Sequence, residues 1–170
     1  MTLDDLNKLG DDAARVEFLK CCGSVRWAEM MASRRPFPNT SMLFETGDLE
    51  WSRVSHADWK EAFGCHPTIG DVGALRKKFP STGGWAEREQ SGVLSAGEDI
   101  LQQLATGNNL YEKRFGYIFI VYATGKSAGE MLALLEQRLK NDPQEEIMLA
   151  AREQQKITRL RLEKLLSEGG

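Results

Sequence analysis

A chain of 170 residues with 41% hydrophobic and 28% charged side chains has the balance of an ordinary globular domain, and no disulfide or metal is needed to hold it. Its net charge of −3 excludes the basic excess of a dominant nucleic-acid surface, and its longest apolar run, Tyr117 to Ala123, is far too short for a membrane span. Three cysteines, Cys21, Cys22 and Cys65, form neither a disulfide framework nor a C-x-x-C site, which suits reduced thiols in a cytoplasm. Met1 to Asn7 has no basic n-region and no apolar run, so no secretory signal is expected. The ending Ser167-Glu168-Gly169-Gly170 is not a peroxisomal address. One domain over 1–170 is the expectation.

Thr2, with Asp4 and Asp5 behind it, predicts a short helix that turns Leu3 and Leu6 inward and ends by Gly10. Asp11 or Asp12 is the expected cap of a second helix with Val16, Phe18, Leu19 and Cys22 on its apolar side. Ser24 caps a third, carrying Val25, Trp27, Ala28, Met30 and Met31, and Arg34-Arg35-Pro36-Phe37-Pro38-Asn39 stops it. Residues 41–53 form a fourth around Leu43, Phe44, Leu49 and Trp51, with an interruption expected at Gly47. A capping box, Ser55 to Asp58, precedes Trp59, Ala62 and Phe63.

After the loop at 64–70, Asp71 caps a helix with Val72, Leu75 and Phe79, which ends at Pro80. Ser81-Thr82-Gly83-Gly84 is a polar hinge into the helix of Trp85, Glu89 and Gln90. Ser95-Ala96-Gly97-Glu98 predicts another start, with Ile100, Leu101, Leu104 and Ala105 behind it and an extension past Gly107 to Leu110 and Tyr111. Phe115 to Gly125 is strand-like in composition but has no partner strand, so it is expected as an extended or distorted segment among helices. Ser127 caps a helix with Met131, Leu132, Leu134, Leu135 and Leu139. Asp142-Pro143-Gln144-Glu145 opens the last, running to about 167 with a stripe of Ile147, Ala150, Ala151, Ile157, Leu160 and Leu165. Its length suggests a dimer surface as well as a core face. The expected fold is a single all-α domain of about eight helices with a buried irregular segment near 115–124.

Chemistry can reside in few places. His66 lies before Pro67 in Gly64-Cys65-His66-Pro67-Thr68-Ile69-Gly70-Asp71, and an imidazole changes charge near neutral pH. It fits either a backbone-bonded loop histidine or an acid–base group. A Cys65–His66 nucleophile pair is disfavoured, because neighbours in an extended segment point to opposite sides. His56 belongs to a helix start, and two histidines without a third ligand argue against zinc. At helical spacing Ala86, Glu89 and Gln90 share a face. That face is either solvated or the second wall of a pocket with His66. The run near Phe119 to Ala123 carries backbone groups that a planar polar ligand can satisfy, or that core packing can absorb. Arg159 and Arg161 can each grip a carboxylate or lie in solvent.

In order, Cys22-Gly23-Ser24 with Trp27, His66-Pro67, Glu89-Gln90, Asn109 to Ala123, Arg138-Leu139-Lys140-Asn141 and Lys156-Ile157-Thr158-Arg159-Leu160-Arg161-Leu162 resemble the 2-oxo-4-hydroxy-4-carboxy-5-ureidoimidazoline (OHCU) decarboxylase family of urate degradation. The likeness runs over nearly the whole chain. It implies an all-helical, dimeric, cytoplasmic enzyme without metal or organic cofactor that forms (S)-allantoin from a small-molecule substrate, functionally linked to urate oxidase and hydroxyisourate hydrolase. By position it implies catalytic roles for His66 and Glu89. It implies substrate contacts from Pro67, Ala86, Gln90, the main chain of Phe119, Ile120, Val121, Tyr122 and Ala123, and Arg161, with Arg159 as the fallback. Ala86 departs from the family's S-x-x-E-Q pattern, so one hydroxyl contact is missing or replaced. The rival expectations are a non-catalytic helical interaction module, a cofactor-free ureide or imide hydrolase, and a family member that has lost turnover.

Overall fold

The computed structural model describes residues 1–67, 72, 73, 75 and 91–167, with side chains from 97 onward in the last stretch. Eight helices are defined among the described residues, and no strand. They are α1 Leu3–Lys8, α2 Asp11–Cys21, α3 Val25–Ser33, α4 Thr40–Arg53, α5 His56–Gly64, α6 Ser91–Phe115, α7 Ala128–Arg138 and α8 Pro143–Ser167. The chain divides into two compact units, Met1–His66 with Ile147–Gly170, and Pro67–Glu146. The helices expected from Asp71 and Trp85 fall largely outside the described residues. Within the first of them Val72, Gly73 and Leu75 are helical and Leu75 is buried.

Most helix starts follow their side-chain caps. Thr2 accepts from the Asp5 N–H, Ser24 from Trp27, Asn39 from Met42, Ser55 from Asp58 and Ser127 from Glu130. At Thr2 and Ser55 the third-position aspartate returns a bond to the cap's own N–H. Two expected starts are corrected. Neither Asp11 nor Asp12 caps α2: the helix begins at Asp11 after Gly10, without a side-chain cap. Both acids instead lie in the first turn, where the helix dipole favours them, and Asp11 pairs with Arg35 at 2.8 Å. Ser95 does not open a helix either. α6 already runs from Ser91, and the Ser95–Glu98 pattern lies inside it.

In the first unit three tryptophans organise the core. Phe18 meets Trp27 and Phe37 edge-to-face, at 6.0 and 6.3 Å between ring centres. Each buried indole donates to a backbone carbonyl: Trp27 to Gly47 at 3.0 Å, Trp51 to Ala151 at 2.9 Å, Trp59 to Trp51 at 3.0 Å. The Trp51 carbonyl lies in the last turn of α4, where carbonyls lack helical partners, so Trp59 closes that end. Arg35 does the same for α1, donating to the carbonyls of Leu6 and Leu9. Asn7 exchanges two 2.9 Å bonds with the Phe37 backbone and fixes the loop between α3 and α4.

Several apolar positions face the other way from expectation. Val16, Val25, Leu49 and Leu110 are exposed. On α8, Ile157, Leu160 and Leu165 are half-buried, and the buried line continues instead through Gln154, Thr158 and Leu162.

Gly47 does not interrupt α4. It is buried, and a Cβ there would meet Leu162, Trp27 and Met31 at 3.5–3.7 Å, ordinary contact distances. Gly107 in α6 differs, because a Cβ would come within 2.6 Å of Leu135 Cδ2 on α7. Gly47→Ala should therefore raise stability, by up to about 1 kcal/mol of helix propensity. Gly107→Ala should lower it by about 1–3 kcal/mol through overpacking. Urea unfolding of the two variants checks the opposite signs.

In the second unit, α6 ends at Phe115 on Gly116, whose φ of 83° is the left-handed stop that glycine adopts without strain. Gly125, at φ 76°, marks the other end of a run that is neither helix nor strand. Within it Tyr117 and Ile120 are buried while Phe119, Val121, Tyr122 and Ala123 are half-buried. The expected irregular segment is present, with its burial concentrated at those two positions. Beside it Arg138 stacks over Phe119 (4.7 Å) and pairs with the fully buried Glu146 at 2.5 Å.

Candidate functional site

α5 ends with Cys65 at its C-cap, and the His66 N–H turns back to the Phe63 carbonyl at 3.3 Å. Pro67 follows and is exposed. The ring of His66 is half-buried, and its Nε2 lies 2.5 Å from Oε1 of Gln154 on α8. Gln154 is fully buried, and its own amide Nε2 donates to Thr158 Oγ1 at 3.1 Å, one helical turn on. His66 is thus a loop imidazole anchored to a side-chain amide, not to backbone alone.

The other expected residues divide among several settings. Arg161 is half-buried on α8, and its Nη1 donates to the Cys21 carbonyl at the end of α2 over a long 3.4 Å. Arg159 is half exposed, lies 3.8 Å from Asp48 and 3.7 Å from Glu163, and stacks over Phe44. Two carboxylates and an aromatic face already occupy it. In the Phe119 to Ala123 run, three carbonyls accept from protein donors: Ile120 from Arg138 Nη1, Tyr122 from Lys126 Nζ, and Ala123 from the Lys126 N–H. The run is therefore held in shape by the protein itself. Ala86, Glu89 and Gln90 lie outside the described residues, as does the expected meeting of their helix with His66.

Sequence reasoning missed Gln154, Thr158, Glu146 and Tyr111 as placed groups. Glu146 accepts from Tyr111 Oη, from Arg138 Nε at 2.6 Å and from Asn141 Nδ2 at 3.0 Å. Burial, with the Glu146 carboxylate beside it, holds the Tyr111 phenol far above its ordinary range despite the opposing Arg138 charge. The signal for Gln154 was available. It falls between Ala150 and Thr158 at four-residue spacing on the inward line of α8, where a polar side chain needs a partner.

Cys21 and Cys22 are buried, and burial pushes their thiols up to about 12 and about 11, against the pull of the Arg161 charge. Cys65 is exposed, with its Sγ 3.5 Å from the Glu61 carbonyl. A disulfide reagent at pH 8 should therefore titrate one thiol quickly in the native protein. All three should react after denaturation in guanidinium. A Cys65→Ser variant showing no fast thiol completes the assignment. Among the described residues no group of three or more His, Cys, Asp or Glu side chains is arranged to hold a metal. No described helix is long and apolar enough to cross a membrane.

An all-helical fold in which a half-buried loop imidazole is tied to a buried amide defines a small helical protein with one anchored histidine. The sequence model of the OHCU decarboxylase family matches residues 7–163, and the chain belongs to that family. It is 35% identical over 161 residues to the uric acid degradation bifunctional protein TTL of Arabidopsis thaliana, covering 95% of this chain and 48% of that protein. It is 30% identical over 140 residues to the 2-oxo-4-hydroxy-4-carboxy-5-ureidoimidazoline decarboxylase of Amia calva, covering 79% and 76% of the two. A crystal structure of OHCU decarboxylase in the presence of (S)-allantoin superposes with a TM-score of 0.72 at 37% identity, over 89% of this chain and 97% of that one. An (S)-allantoin synthase shares the fold, with a TM-score of 0.69 at 17% identity over 98% and 54%. The chain spans about half the length of the Arabidopsis relative, and a third of the bifunctional relative from Bacillus subtilis.

Proposed function

We propose that this protein removes carbon dioxide from 2-oxo-4-hydroxy-4-carboxy-5-ureidoimidazoline and yields (S)-allantoin, a step of urate degradation. The observation that carries the reading is the 37% identical structure, matched over nearly its full length, that was crystallised in the presence of (S)-allantoin. The anchored imidazole of His66 supports it from this chain's own geometry.

The substrate carries its carboxylate on a ring carbon that also bears a hydroxyl. Departure of carbon dioxide leaves an electron pair on that carbon, and the adjacent ring imine and carbonyl can accept it. The protein's tasks are to desolvate the carboxylate, to place donors where ring charge grows, and to deliver a proton to one face. His66 is the acid–base group on the hydroxyl and carboxylate side. Glu89 orients it or handles a ring proton, and Gln90 holds the ring or ureido group. In the run from Phe119 to Ala123, carbonyls engaged by Arg138 and Lys126 fix the backbone, so its N–H groups are the donors for substrate oxygens. Arg161 binds an anionic or carbonyl oxygen, and its loose bond to Cys21 favours it over the doubly paired Arg159. Pro67 stiffens the loop beside His66 and contacts the substrate. Ala86 leaves the hydroxyl contact of the family pattern to water or backbone.

The same reading includes a cytoplasmic homodimer that needs no cofactor and works beside urate oxidase and hydroxyisourate hydrolase. The bifunctional urate-degradation relatives support that functional link. Generating the unstable substrate from urate with those two enzymes, then adding this protein, tests the activity. Rapid decay to optically active allantoin, followed by circular dichroism, is expected. Decay at the spontaneous rate to racemic product overturns the reading, and substrate binding without turnover marks a member that has lost catalysis.

A further inference from the structure

Gly23 joins α2 to α3, and the last turn of α5 packs against the place where its side chain would be. A Cβ at Gly23 would overlap Cys65 Sγ, come within 2.6 Å of Cys65 Cβ and lie 3.6 Å from Ala62 Cα. The sulfur can swing aside by turning χ1. The Cys65 Cβ cannot, because the Cys65 backbone places it. Carbon atoms rest about 3.5–4.0 Å apart, so a methyl at position 23 has to displace backbone. Backbone conformation is not what calls for glycine here. Gly116 and Gly125 have positive φ and Gly23 does not, so a side chain at 23 is barred by Cys65 alone.

The Gly23 side of this contact is held on both flanks. The Cys22 N–H donates to the Phe18 carbonyl at 3.0 Å, and the fully buried Ser24 caps α3 through the Trp27 N–H at 3.2 Å. The Val25 N–H donates to Glu61 Oε2 on α5 at 3.1 Å, and Cys65 Sγ lies 3.7 Å from the Gly23 carbonyl. The Cys65 side leads to His66. The Cys65 N–H turns back to the Ala62 carbonyl at 3.1 Å and the His66 N–H to the Phe63 carbonyl at 3.3 Å, so both residues belong to the same closing turn. The His66 ring meets Gln154 at 2.5 Å on another element, α8. A shift at the end of α5 therefore moves the His66 backbone against a ring partner that does not move with it. We propose that Gly23 is a positioning residue for His66: its missing side chain lets the end of α5 seat on the connection between α2 and α3, and that seat sets where the imidazole stands toward the substrate. The inference rests on the acid–base reading of His66.

The test moves the missing side chain from one partner to the other. Gly23→Ala should lower kcat roughly 100-fold with little change in KM, the loss expected from a catalytic group moved by about 1 Å. Cys65→Gly alone should stay within a few-fold of the parent. Gly23→Ala combined with Cys65→Gly, which removes both close contacts, should return to the kcat of Cys65→Gly. The chain has two histidines, so His66 ring resonances of 15N-histidine-labelled protein are assignable with His56→Asn. They should move in Gly23→Ala, and in the double variant they should coincide with those of Cys65→Gly. Should Gly23→Ala not fold, Gly23→Ala with Cys65→Ala drops the sulfur but keeps the 2.6 Å approach to Cβ, and takes its place in the comparison. Parental kcat or unmoved His66 resonances in the folded variant, or a kcat that stays low in the double variant with Cys65→Gly, overturns the proposal. If the resonances behave as stated but His66→Ala retains turnover, the acid–base reading fails instead.

Discussion

Replacing His66 with alanine should lower turnover by about 10²–10⁴-fold, the usual contribution of a general acid–base group. The structure adds a second effect that must be separated from the first. Removing the ring takes away the partner of Gln154 Oε1, which is buried. An unsatisfied buried acceptor costs about 1–3 kcal/mol, so His66→Ala should also melt several degrees earlier. His66→Gln separates the two. Its side-chain amide can still donate toward Gln154 but cannot exchange a proton near neutral pH. Both variants should lose turnover alike, while His66→Gln recovers part of the melting temperature. Circular dichroism serves for both readings, through product handedness and through thermal unfolding. Turnover within a few-fold of the parent in either variant would remove His66 from the chemistry.

How the sequence anticipates this site depends on the kind of residue. Helix starts set by short-range bonds were legible, because Thr2, Ser24, Ser55 and Ser127 act on backbone groups within three residues. The same logic failed at Ser95. A capping pattern signals a start only if the residues before it leave the helix, and the backbone from Ser91 does not. The irregular run after Phe115 was legible from its glycine bounds and its lack of a partner strand. Gly116 and Gly125 both adopt positive φ, which a β-branched or aromatic residue would resist. Burial was less legible. Val16, Leu49 and Leu110 are apolar and exposed, since apolar residues also make up much of any protein surface. Conversely Glu50, Glu146 and Gln154 are polar and fully buried. Each is bought by partners distant in sequence: Arg34 for Glu50, Arg138 and Tyr111 for Glu146, His66 for Gln154. Such pairings are properties of the fold, and a single sequence marks them only as polar residues on an inward line. His66 stands out in the sequence because its residue type is rare here and its chemistry distinctive. Its anchor was missed because glutamines on helices are usually solvated.

The largest loss of stability is expected at Glu146. Its carboxylate is fully buried at the start of α8 and accepts from Arg138, Tyr111 and Asn141. The Arg138 side chain is itself only 8% exposed, so Glu146→Leu leaves a guanidinium with nothing to neutralise it. Breaking such a pair from one side costs about 3–5 kcal/mol. For a chain of this length that lowers the melting temperature by roughly 10 °C. Arg138→Met should cost a similar amount by leaving the carboxylate alone. Replacing both, as Arg138→Met with Glu146→Leu, removes two desolvated charges together and should recover most of the stability. Activity should not recover with it. Arg138 Nη1 also donates to the Ile120 carbonyl and its guanidinium stacks over Phe119, so the same side chain shapes the run proposed to bind substrate. Methionine can fill the space over Phe119 but cannot donate to the carbonyl. The double variant should therefore fold near the parent's stability with a raised KM, measured by progress curves at several substrate concentrations. A double variant with parental KM would make Arg138 a stability element alone. A double variant no more stable than the single ones would show that the bonds from Tyr111 and Asn141, rather than the charges, hold this part of the protein.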